Sequence, residues 1–479
     1  MPAQNPIIVW FRRDLRLADN PALYGAYQSG KPIILLYILE EGVGRDLGAA
    51  RALWLHHSLT SLSGSIREIG GQLILKRGQS KSILDEIIRE TGADEIHWNR
   101  RYEGKARQVD AEIKADLKSH GVKVSSHNAN LLSEPWEVET KTGGYYKVFT
   151  PYWRAVNRQI EIANPLPAPE NLDGYLGALK SDDLDDWALL PTLPDWGSDI
   201  IRQYQPGEAG AANRLSAFLD GPVKDYAIQR DRPDDETGTS RLSPHLAHGE
   251  ISPRQIWQAA YGRDGSDKFL SEIGWREFSY VLLYHNPDLA SENFKSGFDK
   301  FEWAHDPQKV EAWRRGQTGY PFIDAGMREL WCTGWQHNRV RMVCASFLIK
   351  HLLTDWRVGE AWYWDTLLEA DPAANAASWQ WVAGSGADAA PYFRIFNPFS
   401  QGQKFDPNGD YVKKYVPEIA GLPKKYIHTP WEAPETILDA AGVKLGETYP
   451  RPIVDHKCCL LYTSPSPRDL STSRMPSSA

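Results

Sequence analysis

Between residues 6 and 127 the spacing of apolar positions switches repeatedly, and each switch marks a change of element. PIIVWF, KPIILLYIL, QLILKRG, DEIHWN and VKVSSH are short and rich in β-branched and aromatic residues, with apolar side chains on successive positions. That is the signature of strands buried on both faces. Segments near 20–29, 50–69, 80–91 and 104–120 lie between them and carry apolar residues at helical spacing. Asp19-Asn20-Pro21 offers a cap and a first-turn proline to the first helix, and Gly121 closes the last. Strand and helix in strict alternation predict a doubly wound parallel α/β domain, Rossmann-like, over residues 1–130.

The pattern then breaks. Prolines at 165, 167, 169, 191 and 194 and the acidic run SDDLDDW predict a long surface connector over 131–200. From 201 to 456 strands nearly vanish, and helical spacing recurs over 209–220, 252–261, 267–285, 308–315, 321–333, 337–353 and 358–369. This half is predicted to be an all-α domain. CCLLYTSPSPRDLSTSRMPSSA, from Cys458, has no period and abundant Ser and Pro, so 457–479 reads as a disordered or foreign tail.

A chain of 479 residues accommodates two or three full-sized cores. Its net charge of −8 excludes a protein that coats nucleic acid indiscriminately, but not one basic face. The 19 tryptophans nearly equal the 21 tyrosines, more indole than packing requires, which points toward stacking or redox surfaces. Cys332, Cys344, Cys458 and Cys459 form no CxxC pair and no zinc spacing with histidine. A reducing, cytoplasmic compartment follows. The N-terminal apolar stretch is too short for a signal peptide, and no run approaches the ~18 residues of a membrane span.

Several segments carry chemistry. GVGRDLG (42–48) and GSGADA (384–389) approach a dinucleotide fingerprint, but neither stands at a strand-to-helix turn. In TSRLSPHLAHGEIS, Ser243-Pro244 reads as an N-cap with a first-turn proline. Thr239, Ser240 and Arg241 before it suit an anion such as a diphosphate, although a plain capped helix explains the same residues. FLSEIGWREF places Glu272, Trp275 and Arg276 on one helical face, where a surface ion pair is the ordinary meaning. GWQHNRVRM aligns Asn338 with Arg341 and Met342. In ASWQWVAGSG, Trp379 and Trp381 must point to opposite sides whether the segment is strand or helix.

VWFRRDLRLADNPAL, GTSRLSPHLAHGEIS, WREF, TGYPFIDAGMRELWCTGWQHNRVRM and WQWVAGSGADAAPYFRIFNP, in that order, closely resemble the photolyase/cryptochrome family over roughly residues 6 to 456. The nearest branch is the class I cyclobutane pyrimidine dimer photolyases. The resemblance implies an N-terminal α/β antenna domain, a connector and a helical domain that binds FAD, active as FADH⁻. Tyr226, Thr239, Ser240, Arg241, Leu242 and Ser243 would hold the diphosphate and ribityl region. Glu369, Ala370 and Asp371 would contact the flavin, with Arg341 paired to Glu369, where the family more often has Asp. Asn375 would face flavin N5.

The same resemblance implies that Trp379, Trp356 and Trp303 carry electrons between flavin and surface, while Trp381 lines the lesion pocket. Glu272 and Asn338 would hydrogen-bond the lesion bases, Trp275 and Met342 would wall the pocket, and Arg230, Arg276, Arg339 and Gln401 would grip the strand. The (6-4) photolyases place histidines at positions 338 and 342, and plant-type cryptochromes tend to an acid at 375, so repair of cyclobutane dimers is expected. The alternative is a signalling photoreceptor without repair. Lys105, Ala106 and Ser291 depart from the Asn-Glu pair and lysine of folate-binding members, leaving the second chromophore open between a deazaflavin and a folate. UV-damaged DNA is the expected partner of a monomer in the bacterial cytosol or nucleoid, with no membrane and no metal.

Overall fold

The structure, a computed structural model, describes residues 4–389 and 394–457. Five parallel strands, β1 (Ile7–Phe11), β2 (Ile33–Glu40), β3 (Leu73–Gly78), β4 (Glu95–Asn99) and β5 (Lys123–His127), form one sheet in the order β3-β2-β1-β4-β5. Ile7 pairs with Ile33 on one side and Glu95 on the other, so β1 is central. Ile7, Val9 and Phe11 enter one core while Ile8 and Trp10 enter the core on the opposite face, which is why the strand is apolar at every position.

The expected crossover helices are α1 (Pro21–Tyr27), α2 (Ala49–Glu68), α3 (Ser80–Thr91) and α4 (Gly104–Ser119). Asn20 caps α1, its Oδ1 accepting from the Leu23 amide at 3.2 Å.

The connector over 131–200 carries regular structure. It contains a fifth helix, α5 (Phe149–Gln159), which buries Phe149, Tyr152, Ala155 and Val156. The remainder is fastened to the sheet, with Ile33 N donating to Asp173 O and Leu172 N to Ile69 O, each at 2.8 Å. Pro151 lies in the first turn of α5, where a proline removes no intrahelical donor.

In the second half every expected helix is present, 321–333 with the expected bounds and the others with shifted ends. The expected 358–369 helix runs Trp356–Thr366, because Asp355 caps it by accepting from Arg357 N at 2.9 Å. The expected 337–353 helix is α-helical over Asn338–Ser346 and passes into a π-helical turn, Phe347–His351. Helices Ala374–Ala383, Pro398–Phe405 and Asp410–Tyr415 had not been read from the sequence. The core they share centres on Trp313, Phe322, Val340, Phe347, Trp356 and Trp379. No helix among the described residues is long and apolar enough to cross a membrane. Cys458, Cys459 and the 458–479 tail lie outside the described residues.

Candidate active site

The turn after the short helix Tyr226–Gln229 joins the two helices that flank the site. Arg230 Nη1 pairs with Glu272 on the helix Ser266–His285, and Asp231, the next residue, accepts from Arg339 Nη2 at 2.7 Å on the helix Asn338–Ser346. Glu272 Oε1 also receives Lys268 Nζ at 2.9 Å. Glu272 is thus held by two cations, and Arg230 and Arg339 each pair with a carboxylate. Asn338 stands exposed at the start of its helix. Trp275 is half-buried, its ring stacked on Phe149 of α5 at 3.8 Å and 11°. Met342, Trp381 and Gln401 are half-exposed.

Deeper in, three guanidinium groups converge. His337 is 2% exposed, and its Nε2 has no partner among the described residues. Burial pushes its imidazole down to about 4; Asp231 opposes this, and Arg341, Arg339 and Arg241 add to it. Arg241 sits at φ +49°, its guanidinium 4.5 Å over the Trp335 ring, with Nε buried and unpartnered. Arg341 donates through Nε to Gln336 O at 2.6 Å and through Nη2 to Glu369 Oε1, while Glu369 Oε2 is buried without a partner. Unmatched buried donors and acceptors of both signs beside a cationic cluster suit a ligand with a diphosphate and a hydrogen-bonding ring edge.

Other residues expected at the flavin have partners or positions within the chain. Ser243 is the first helical residue rather than the cap; Leu242 occupies the cap position and supplies no side-chain acceptor. Asp371 Oδ2 accepts from Tyr280 OH at 2.6 Å, and Oδ1 from Ala373 N at 2.9 Å and Ala374 N at 2.7 Å. Its carboxylate therefore fastens the start of the helix Ala374–Ala383. Arg276, expected to grip DNA, turns inward: Nη1 donates to Asn130 O at 2.6 Å and the guanidinium lies 4.9 Å over Tyr280. Tyr226, Leu242 and Ala370 are buried, and Thr239 and Ser240 are half-exposed. Asn375 is 9% exposed and donates to Glu360.

Both tryptophans of the 379–381 pair lie on the helix Ala374–Ala383, Trp379 buried at 3% and Trp381 half-exposed, as opposite faces require. Trp356 is fully buried with Nε1 on Asn293 Oδ1 at 2.9 Å, and Trp303 is half-exposed. Burial thus declines from Trp379 and Trp356 to Trp303. Sequence reasoning missed Trp335, Gln336, His337 and Glu329, although GWQHNRVRM spelled three of them. It also missed Tyr363, which donates to Gln336 Oε1 at 2.5 Å and meets the Trp379 ring edge-on at 5.1 Å.

Residues 7–170 match the family model for DNA photolyase, and residues 269–459 match that for the FAD binding domain of DNA photolyase. Over 457 residues, 94% of this chain and 95% of the relative, the sequence is 52% identical to the deoxyribodipyrimidine photo-lyase of Agrobacterium fabrum. The chain belongs to the photolyase/cryptochrome family. Within that family, cryptochrome-1 of Arabidopsis thaliana is 39% identical over 93% of this chain and 68% of its own length. The fold superposes on a bacterial class III photolyase from Agrobacterium tumefaciens with a TM-score of 0.93, 51% identity and 96% of each chain covered. These relatives do not single out the class I branch. FAD is the cofactor of the matched photolyase domain, and the cationic cluster with its unmatched polar atoms fits it. At the seam between this family's two domains, Lys105 and Ser291 are exposed and Ala106 is buried.

Proposed function

We propose that this protein is a light-driven DNA repair enzyme that splits cyclobutane pyrimidine dimers rotated out of the duplex, acting as a monomer. The observation that carries the reading is the turn at Arg230 and Asp231. By holding Glu272 with one side chain and Arg339, next to the exposed Asn338, with the other, it ties the helices Ser266–His285 and Asn338–Ser346 together. Reduced FAD, when bound, supplies an electron to the lesion on excitation.

The chain's own residues do the rest. Arg241 and Arg341 would hold the cofactor's anionic and polar groups, and Asn375 would stand at flavin N5. Glu272 and Asn338 hydrogen-bond the lesion bases where charge develops. Glu272 is already ion-paired, so it meets the lesion as a carboxylate fixed by Arg230 and Lys268. Trp275 and Met342 wall the pocket, and Trp381 stacks on the extruded bases, whose impaired pairing lowers the cost of extrusion. Trp379, Trp356 and Trp303 would form the path by which electrons from an external reductant at the surface reach the cofactor.

A second chromophore belongs near Arg51. This side chain is 4% exposed, burial lowers its pKa to about 10, its guanidinium carbon lies 5.3 Å from the Trp364 ring centroid, and its Nε is unpartnered. An acceptor-bearing chromophore would complete it. Flavin content, binding of an oligonucleotide carrying one thymine dimer in the dark, and its light-dependent repair test the assignment. A protein that binds FAD but treats lesion and intact DNA alike would move a signalling photoreceptor to first place.

A further inference from the structure

The glycine-rich loop that fails as a dinucleotide site has another use. Its Arg45, on the α/β domain, reaches across the domain seam to Glu360 of the helix Trp356–Thr366, with Nη1 2.8 Å from both Oε1 and Oε2. Glu360 is 4% exposed, and its Oε1 also accepts from Asn375 Nδ2 at 2.8 Å. The second Nδ2 hydrogen is directed at the Glu360 carbonyl, 3.2 Å away. Both amide donors of Asn375 are therefore used on one residue. A carboxylate only accepts, so the amide cannot be turned round, and Oδ1 must face away from Glu360.

The loop is held in place independently of that contact. Trp364 Nε1 donates to Asp46 O at 2.9 Å, Asp365 Oδ1 accepts from Ala49 N at 2.9 Å, and the Arg45 guanidinium lies 4.5 Å over the Trp364 ring. Gly48 packs so closely that a Cβ would lie 2.0 Å from the Trp364 carbonyl oxygen.

We propose that Arg45 is a positioning residue for the flavin site: by holding Glu360 as a carboxylate it locks the Asn375 amide with its oxygen toward the cofactor, favouring the reduced flavin. The inference rests on the reading of Asn375 as facing N5. Oxidised flavin has an acceptor at N5 and two-electron-reduced flavin an N–H donor, so a fixed carbonyl oxygen there selects the reduced form. Burial favours the protonated form of Glu360 and Arg45 opposes it, so removing Arg45 shifts Glu360 toward a hydroxyl that can donate to the Asn375 oxygen and lets the amide reverse.

The test uses the full chain loaded with FAD and a spectroelectrochemical titration, with flavin content measured for each variant. At a fixed potential, Arg45→Gln is expected to lower the ratio of reduced to oxidised flavin roughly five- to tenfold, the equilibrium weight of one lost hydrogen bond. Arg45→Lys should recover most of it. Asp365→Ala, which loosens the same seam without touching Glu360, should leave the ratio unchanged. A wild-type ratio in Arg45→Gln overturns the proposal, as does an equal shift in Asp365→Ala. A chain that holds no FAD overturns the reading of the site itself, and this inference with it.

Discussion

Trp379 lies against Gly359 with no space between them: a Cβ added at Gly359 would stand 2.1 Å from Cη2 of the indole. The helix Trp356–Thr366 thus comes close enough to seat Trp379 only because residue 359 has no side chain. Gly359→Ala must displace the ring, and overpacking of this kind costs about 1–3 kcal/mol. Thermal unfolding should report that loss, and photoreduction of bound flavin should slow with it, because Trp379 leaves its place in the electron path.

Arg341→Ala strands the Glu369 carboxylate. The Glu369 side chain is 5% exposed and that of Arg341 26% exposed, so the pair is buried on one side only. A loss of about 3 kcal/mol is expected, the low end for breaking a buried pair. Flavin content of the purified protein should fall together with its melting temperature. Unchanged values of both would mean that Glu369 finds another partner.

Trp379 and Trp381 should separate two properties that a general packing role would merge. Trp381→Ala is expected to weaken binding to dimer-containing DNA by about 1–3 kcal/mol, the weight of one base stack, with flavin content unchanged. Trp379→Phe should leave that affinity intact and slow photoreduction. Fluorescence anisotropy and flavin absorbance read the two arms.

Glu277 gives the fold a pH dependence. Burial pushes its carboxyl up to about 7 against the opposing effects of Arg276 and the Leu132 and Ser133 amides, whereas the unfolded value is near 4.5. The native state holds the proton more tightly, so this contribution is fully present below about 4.5 and is lost as pH rises through about 7. Glu277→Gln, which can still accept from Leu132 N, should make the decline in melting temperature over that range shallower. Glu329, also pushed to about 7 by burial, titrates in the same window, so the decline should shrink rather than vanish. Identical slopes in variant and wild type would contradict the assignment.

The α/β half was legible because its strands are buried on both faces, as Ile7 to Phe11 illustrate, and local apolar runs suffice to reveal such strands. The cationic cluster was half legible. Arg241 and Arg341 lie in recognisable motifs, but His337 and Trp335 acquire meaning only when residues distant in sequence close around them. Partner choice was the least legible property. Nothing local in WREF turns Arg276 inward to Asn130, and nothing in GVGRDLG sends Arg45 to Glu360; both contacts are set by how the domains dock.

The most direct measurement exposes the photoreduced, FAD-loaded protein to an oligonucleotide with a single thymine cyclobutane dimer and follows the return of thymine absorbance under blue light. A dark sample and a (6-4) lesion serve as controls. The account predicts recovery that requires light, occurs on the cyclobutane lesion and is absent on the (6-4) lesion. No recovery from protein that carries reduced FAD and binds the lesion would contradict it.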